Sequence, residues 1–108
     1  MEPSLSPIEL AERLQTGSPP HLLDVREVDE HQFVALPNSK LIPLRELPAR
    51  AGEIEPWKDE EIVVYCHHGI RSQHAIDWLR EQGFSKLWNL TGGIDHWTSE
   101  VDPSLPRY

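Results

Sequence analysis

The chain has few of the features that mark secreted, membrane-spanning and nucleic-acid-binding proteins. It contains one cysteine among 108 residues, which excludes an intrachain disulfide and therefore a disulfide-stapled secreted scaffold. No stretch approaches the roughly 18 consecutive apolar residues of a membrane span. Ten basic residues stand against 18 acidic ones, for a net charge of -8, so we expect neither nucleic acid nor an anionic membrane as partner.

Length and the first residues predict a small intracellular domain. At 108 residues, one domain spanning residues 1–108 is expected, with its core at about 5–100 and a tail at 101–108. The opening MEPSLSPIEL lacks a basic segment followed by an apolar core, so no secretory signal is predicted. A free thiol suits a reducing compartment, and a cytoplasmic location is therefore expected.

Proline placement and hydrophobic patterning divide the chain into alternating strands and helices. All ten prolines lie at positions 3–56 or 103–106, which leaves 57–102 free for uninterrupted elements. The predicted strands are His21–Arg26, Leu41–Ile42, Glu61–Cys66 and Lys86–Leu90. The predicted helices run from Ser6-Pro7 to before Gly17, over 28–34, over 44–54, from a Ser72 cap to Gly83, and over 94–100. This alternation predicts an α/β fold with a mostly parallel sheet.

Two polar segments follow predicted strands, where parallel sheets bind their ligands. One is Asp24-Val25-Arg26, and the other runs from Cys66 to Ser72. A reactive cysteine must be a thiolate, and a nearby helix N-terminus or positive charge favours that form. Gly69 permits a tight loop that turns backbone amides inward, and Arg71 adds a permanent positive charge. Residues 66–75 contain no acid, so the sequence predicts a reactive thiolate at Cys66.

Three blocks in this order resemble the signatures of the rhodanese sulfurtransferase family. The first is Leu-Leu-Asp-Val-Arg-Glu at 22–27, and the second is Val-Val-Tyr-Cys-His-His-Gly-Ile-Arg-Ser at 63–72. The third is Leu-Thr-Gly-Gly-Ile-Asp-His-Trp at 90–97. The resemblance covers about residues 5–100. It implies a three-layer fold in which a mostly parallel sheet of about five strands carries helices on both faces.

The family resemblance also implies a mechanism and a set of site residues. Cys66 would take the outer sulfur of a donor such as thiosulfate as a persulfide and pass it to a thiol or cyanide acceptor, in two half-reactions with ping-pong kinetics. No cofactor and no metal are implied. The loop residues expected to hold the persulfide and the substrate are His67, His68, Gly69, Ile70, Arg71 and Ser72. Asp24 and Arg26 are expected to brace this loop or line its mouth.

The sequence leaves several alternatives open. Residues 31–43 depart from the family pattern and keep only Ile42-Pro43 of it.

Cysteine phosphatases of the same fold place five residues between cysteine and arginine. Four residues separate Cys66 from Arg71 here, and this shorter loop favours a sulfurtransferase over a phosphatase. The thiol and imidazole groups include zinc ligand types, but the histidines lack zinc-site spacing, so loop-rim histidines that tune the thiolate are expected instead. A non-catalytic binding module would typically lack the cysteine.

A sulfur relay to a protein acceptor would use the same first half-reaction as a thiosulfate sulfurtransferase. Residues 101–108 read Val-Asp-Pro-Ser-Leu-Pro-Arg-Tyr. They resemble the end of rhodanese-like domains that are attached to sulfur-carrier activating enzymes. This similarity favours a protein acceptor.

Overall fold

Five parallel strands form one sheet in the computed structural model, which describes residues 3–108. The strands are β1 (Ser4–Leu5), β2 (His21–Asp24), β3 (Lys40–Leu41), β4 (Ile62–Tyr65) and β5 (Leu87–Leu90), in the spatial order β1-β5-β4-β2-β3. The α-helices are α1 (Pro7–Leu14), α2 (Val28–Phe33), α3 (Leu47–Arg50), α4 (Ile70–Glu81) and α5 (Gly93–Glu100). All strand pairs are parallel, which confirms the predicted α/β class.

The central strand β4 is buried on both sides of the sheet. Ile62 and Val64 belong to the hydrophobic cluster on one face, and Val63 and Tyr65 belong to the cluster on the other. β-Branched residues pack well in such a position, because their stiff side chains fit the pleated surface. The next residue, Cys66, therefore leaves the sheet at its middle, at the carboxyl edge where parallel sheets place their sites.

Helices cover both faces of this sheet, as predicted. Helix α4 packs Ala75, Ile76 and Leu79 into the first cluster, and α3 adds Leu47. Helices α1 and α5 pack their apolar sides into the second cluster, through Leu10, Ile94 and Trp97. Among residues 3–108, no helix has the length and apolar character needed to cross a bilayer.

The first helix follows its sequence signals closely. The Ser6 hydroxyl accepts a hydrogen bond from the Glu9 amide at 3.1 Å, and the Glu9 carboxylate accepts one from the Ser6 amide at 2.9 Å, so the two residues form a capping box at the predicted helix start. Strand β1 was not predicted from the sequence, because two residues are too short to show a period. Leu5 is buried there and pairs with Leu90.

Two helix predictions were wrong in detail. Residues 44–54, expected as one helix, form 3₁₀ turns at Leu44–Glu46 and Ala51–Trp57 on either side of α3. Pro48 lies in the first turn of α3 and has no N–H to donate to the Leu44 carbonyl, and Gly52 is a poor helix former, so these two residues interrupt a regular α-helix over 44–54. Helix α4 begins at Ile70 with Gly69 as its N-cap, so it starts earlier than the predicted Ser72 cap.

The segment 31–43, which departs from the family pattern, is fixed by a buried hydroxyl. Tyr65 at the end of β4 accepts the Leu36 amide at 3.1 Å and lies 2.8 Å from the Ser39 hydroxyl. Leu36 is itself buried in the second cluster. The chain therefore reaches β3 over an ordered connection, although its sequence is unusual.

Candidate active site

Cys66 lies at the centre of a short loop between β4 and α4. Its side chain is 2% exposed and packs at the margin of the first hydrophobic cluster. Gly69 turns the loop back with a φ of 117°, a conformation that side chains strongly disfavour. The turn brings the N-terminus of α4, a helix of 12 residues, directly over the sulfur.

Two backbone amides of this loop point at the Cys66 sulfur. The Gly69 amide lies 3.0 Å from Sγ and the Ser72 amide 3.4 Å from it. The Ser72 hydroxyl is a third group, 3.5 Å from Sγ. Amides at a helix N-terminus carry partial positive charge, so this cradle favours a negative charge on the sulfur or on an atom attached to it.

The loop shape depends on a polar residue that the sequence reasoning missed. Asn89 in β5 donates its side-chain amide to the Gly69 carbonyl at 3.1 Å. Its Oδ1 lies 2.6 Å from the Ser72 hydroxyl, which is also 3.0 Å from the Gly69 carbonyl. Ser72 is thus a member of the sulfur cradle rather than a helix cap. An asparagine inside the apolar strand Leu-Trp-Asn-Leu was the signal that could have identified it.

Helix α5 holds the other side of the loop through its backbone. The Ile94 amide donates to the Cys66 carbonyl at 2.9 Å, and the Asp95 amide donates to the His67 carbonyl at 3.2 Å. A Cβ on Gly93 would lie 2.3 Å from the His67 oxygen and 2.5 Å from the Cys66 oxygen. The glycine therefore permits a close approach that no other residue could make without shifting the loop.

Arg71 pairs with an acid that comes from outside the loop. Its two terminal nitrogens lie 2.6 Å and 2.9 Å from the carboxylate oxygens of Glu30 in α2. Hydrogen bonds from Arg71 lower the pKa of Glu30 to about 2, against the opposing effect of burial. Residues 66–75 contain no acid, but the fold brings Glu30 of α2 to them.

Asp24 and Arg26 form a buried pair of their own at the end of β2. The guanidinium meets the Asp24 carboxylate at 3.0 Å and 2.8 Å, and both side chains are inaccessible to solvent. Arg26 also donates to the Val34 carbonyl at 2.6 Å and to the Tyr108 hydroxyl at 2.9 Å. These contacts organise residues 24–34 and the C-terminal segment, and they do not reach the Cys66 sulfur.

The C-terminal segment folds back onto the loop, which the sequence did not indicate. The Tyr108 ring stacks on the His67 ring with 3.9 Å between centroids, and its hydroxyl donates to Glu30 at 2.8 Å. Arg107 pairs with Asp95 at 2.8 Å. His67 therefore faces the C-terminal segment. Burial, followed by the neighbouring His68, lowers the pKa of His67, which favours a neutral imidazole.

The remaining loop residues lie at the solvent side. Ile70 is 72% exposed, and the His68 side chain is exposed with Nδ1 3.9 Å from Asp95 Oδ2. Over residues 3–108, the structure brings no three or more histidine, cysteine, aspartate or glutamate side chains together as a metal site. The site is thus a single thiol in a cradle of amides, with an ion pair beside it.

Known proteins resemble this chain in sequence and in fold. The family model described as Rhodanese-like domain matches residues 6–100. The chain belongs to the rhodanese-like family. A crystal structure of a rhodanese-like domain protein from Staphylococcus aureus superposes on this chain with a TM-score of 0.84 at 29% sequence identity. The match covers 100% of this chain and 99% of the Staphylococcus aureus chain.

Two curated relatives match this chain over part of their longer sequences. Rhodanese-like/PpiC domain-containing protein 12, chloroplastic, of Arabidopsis thaliana is 41% identical over 81% of this chain. The adenylyltransferase and sulfurtransferase MOCS3 of the same plant is 33% identical over 99% of it. The chain spans 30% and 26% of the lengths of these two proteins.

Proposed function

We propose that this rhodanese domain, residues 1–108, is a sulfurtransferase that carries sulfane sulfur as a persulfide on Cys66. The observation that carries the proposal is the position of the Cys66 sulfur, 3.0 Å from the Gly69 amide and 3.4 Å from the Ser72 amide at the start of α4. Such donors stabilise a thiolate before the reaction and a persulfide anion after it. The relative named a sulfurtransferase supports the same activity.

The first half-reaction is a displacement at sulfur. The Cys66 thiolate attacks the outer sulfur of a donor such as thiosulfate, and a new sulfur–sulfur bond forms. The sulfur–sulfur bond of thiosulfate breaks, and its electron pair leaves with sulfite. The charge stays on the transferred sulfur, where the loop amides and the helix N-terminus receive it.

The second half-reaction returns the cysteine to its thiolate. A thiol or cyanide attacks the outer sulfur of the Cys66 persulfide, and the electron pair of the broken bond returns to Cys66. In this proposal His68 and Ile70, both exposed at the rim, meet the donor and acceptor. His67 and Arg71 hold the loop from its sides through Tyr108 and Glu30. No cofactor takes part.

Sulfur fits the cradle better than phosphate does. Three loop groups already lie 3.0 to 3.5 Å from the Cys66 sulfur. One added sulfur atom is small enough to occupy the mouth of such a loop. A phosphate needs donors for several oxygens at once, and Arg71 is already engaged by Glu30. No observation favours the phosphatase alternative.

Loading the protein with a sulfane donor tests the proposal. After incubation with excess thiosulfate and removal of the donor, mass spectrometry should find one additional sulfur atom on the peptide that contains Cys66. Cyanide should remove that sulfur as thiocyanate. Cys66→Ser is the matched control and should give neither product while it keeps the wild-type circular dichroism spectrum. Absence of the adduct with thiosulfate, polysulfide and organic persulfides would overturn the proposal.

Relay to a protein acceptor is the second candidate. Phe33, 53% exposed, lies edge-on to the Tyr108 ring beside the loop, and the exposed Ile70 lies on the loop itself. Apolar side chains beside a reactive sulfur suit contact with another protein. The MOCS3 relative and the similarity of residues 101–108 support this acceptor class. A cytoplasmic location stays a prediction, since one relative is named chloroplastic.

The choice of acceptor can be measured with the loaded domain. In a relay, Phe33→Ser should slow sulfur transfer to reduced thioredoxin, used as a protein-thiol probe, several-fold. Discharge by cyanide should stay at the wild-type rate. Ile8→Ser is the control, because Ile8 is equally exposed but lies on α1. An equal response of both acceptors to Phe33→Ser would count against relay through this surface.

A further inference from the structure

The arginines around the persulfide loop are all neutralised by carboxylates. Arg71 pairs with Glu30, Arg26 with Asp24 and Arg107 with Asp95. Arg71 is the arginine of the loop itself, and its hydrogen bonds to Glu30 are the main cause that raises its pKa, with a smaller contribution from the Coulomb field of Cys66. The natural cation for an anionic donor is therefore already occupied.

The pair between Arg71 and Glu30 is difficult for a donor to displace. Both arginine nitrogens are used, at 2.6 Å and 2.9 Å, so the contact is bidentate and charge-assisted. The Glu30 side chain is only 16% exposed. Its carboxylate is held further by the Glu27 amide at 2.9 Å and by the Tyr108 hydroxyl at 2.8 Å. Glu30 is thus a fixed partner that cancels the positive charge of Arg71 beside the loop.

Cancellation of the Arg71 charge affects the possible donors differently. Thiosulfate carries two negative charges, and it must approach the Cys66 thiolate while Glu30 cancels the one positive charge of the loop. Coulomb repulsion between close charges in a partly desolvated site is large compared with thermal energy. An organic persulfide in its neutral form meets no such repulsion. The loop amides still receive the transferred sulfur from either donor.

We propose that Glu30 is a specificity-determining residue, which makes this site select sulfane donors of low charge, such as persulfides, over dianionic thiosulfate. The inference rests on the proposed sulfurtransferase function and names the class of donor that it uses. In the favoured step the Cys66 thiolate attacks the outer sulfur of R–S–SH. The bond between the two donor sulfurs breaks, R–S⁻ leaves with the electron pair, and the proton stays on the transferred sulfur as Cys66–S–SH.

The test compares two donors on wild-type protein and Glu30→Gln. Rates of single-turnover loading of Cys66 are measured by mass spectrometry with thiosulfate and with the persulfide of N-acetylcysteamine, which has no other charged group. Rates are normalised to titrated thiol in folded protein. Glu30→Gln should increase the second-order rate constant with thiosulfate about tenfold at low ionic strength, and high salt should reduce this difference. The persulfide rate should change less than twofold.

Two control variants separate charge from structure. Glu46→Gln removes a carboxylate that pairs with Arg50, and it should leave the ratio of the two rates unchanged. Tyr108→Phe removes the hydroxyl that holds Glu30 but keeps the Glu30 charge, so it should retain the wild-type preference for the persulfide. If Glu30→Gln folds poorly, Glu30→Ser removes the same charge and replaces it in the test.

The outcomes show separately whether the role of Glu30 or the proposed sulfurtransferase function fails. If wild-type Cys66 accepts sulfur from neither donor, the proposed sulfurtransferase function fails. If wild-type Cys66 accepts sulfur but loss of the Glu30 charge leaves the rate ratio unchanged, or changes both rates equally, only the role of Glu30 is overturned. A selective increase with thiosulfate supports it.

Discussion

The ends of β2 and β4 lie side by side in the sheet but use their polar groups in opposite ways. At the end of β2, Asp24 and Arg26 are inaccessible to solvent and bind each other. After β4, backbone amides of Gly69 and Ser72 converge on the sulfur of Cys66. The first arrangement satisfies its charges internally, whereas the second leaves donors for a reacting atom. Neighbouring strand ends can therefore divide structure and chemistry between them.

The largest expected effect is a loss of stability when the buried ion pair of Asp24 and Arg26 at the end of β2 is removed. Asp24→Ala leaves the Arg26 guanidinium buried without its counter-charge and should lower the free energy of unfolding by about 3–5 kcal/mol. Urea denaturation measures the loss, with exposed Asp29→Ala as the control. The fraction that stays folded should still load sulfur on Cys66. A loss of loading per folded molecule, without a loss of stability, would contradict the division between the two strand ends.

At the end of β4 we expect the reverse: a substitution should reduce the rate of sulfur loading more than it reduces stability. Ser72→Ala removes the hydroxyl that lies near the Cys66 sulfur, the Gly69 carbonyl and Asn89. Stability should fall by about 1 kcal/mol, while the rate of sulfur loading should fall about tenfold, because the cradle loses one donor and its support. Exposed Ser85→Ala provides the control. A stability loss as large as that of Asp24→Ala would show that both ends serve the fold.

The smallest effect tests the bridge between the two regions, the pair of Glu30 and Arg71. Bonding to Arg71 lowers the pKa of Glu30 from its ordinary 4.5 to about 2. The lowered pKa means that the unfolded chain binds the proton first as pH falls. The pair therefore contributes its full stability above pH 4.5 and loses it between about pH 4.5 and pH 2.

Comparing wild type with Glu30→Gln across that pH range isolates this contribution. The stability difference should be below about 1 kcal/mol near neutral pH, since the partly exposed arginine is screened by solvent, and it should shrink below pH 4.5. Thermal unfolding at a series of pH values measures it. Glu46→Gln again provides the matched control. A difference that stays constant down to pH 2 would mean that Glu30 stabilises the fold through packing alone.

Structural features that depend on residues close together in the chain could be predicted from the sequence. The predicted strand at Glu61–Cys66 and the predicted helix start at Ser6-Pro7 each depend on residues a few positions apart, and both are present in the structure. The position of Cys66 at the carboxyl edge followed from the parallel topology. These local signals were sufficient for the fold class and for the candidate nucleophile.

The parts that could not be predicted join residues far apart in the chain. Glu30 meets Arg71 across 41 positions, and Tyr108 meets Arg26 across 82. No local pattern specifies which acid will reach an arginine in the folded chain. Asn89 was visible as a polar residue in an apolar strand, but its partner became evident only when β5 was placed beside β4. Long-range pairing therefore completed the site.

The close approach of Gly93 limits how this loop could be moved to another protein. Residues 66–72 are continuous in sequence, but they do not hold their own shape. Amides of α5 bond the carbonyls of Cys66 and His67, and Gly93 lies so close to these carbonyls that a Cβ on it would not fit. If residues 66–72 alone were grafted onto another protein, the loop would lose the hydrogen bonds from the Ile94 and Asp95 amides that hold it. An engineer who wishes to transplant the sulfur cradle must transfer the turn at Gly92-Gly93 and the first turn of α5 with it.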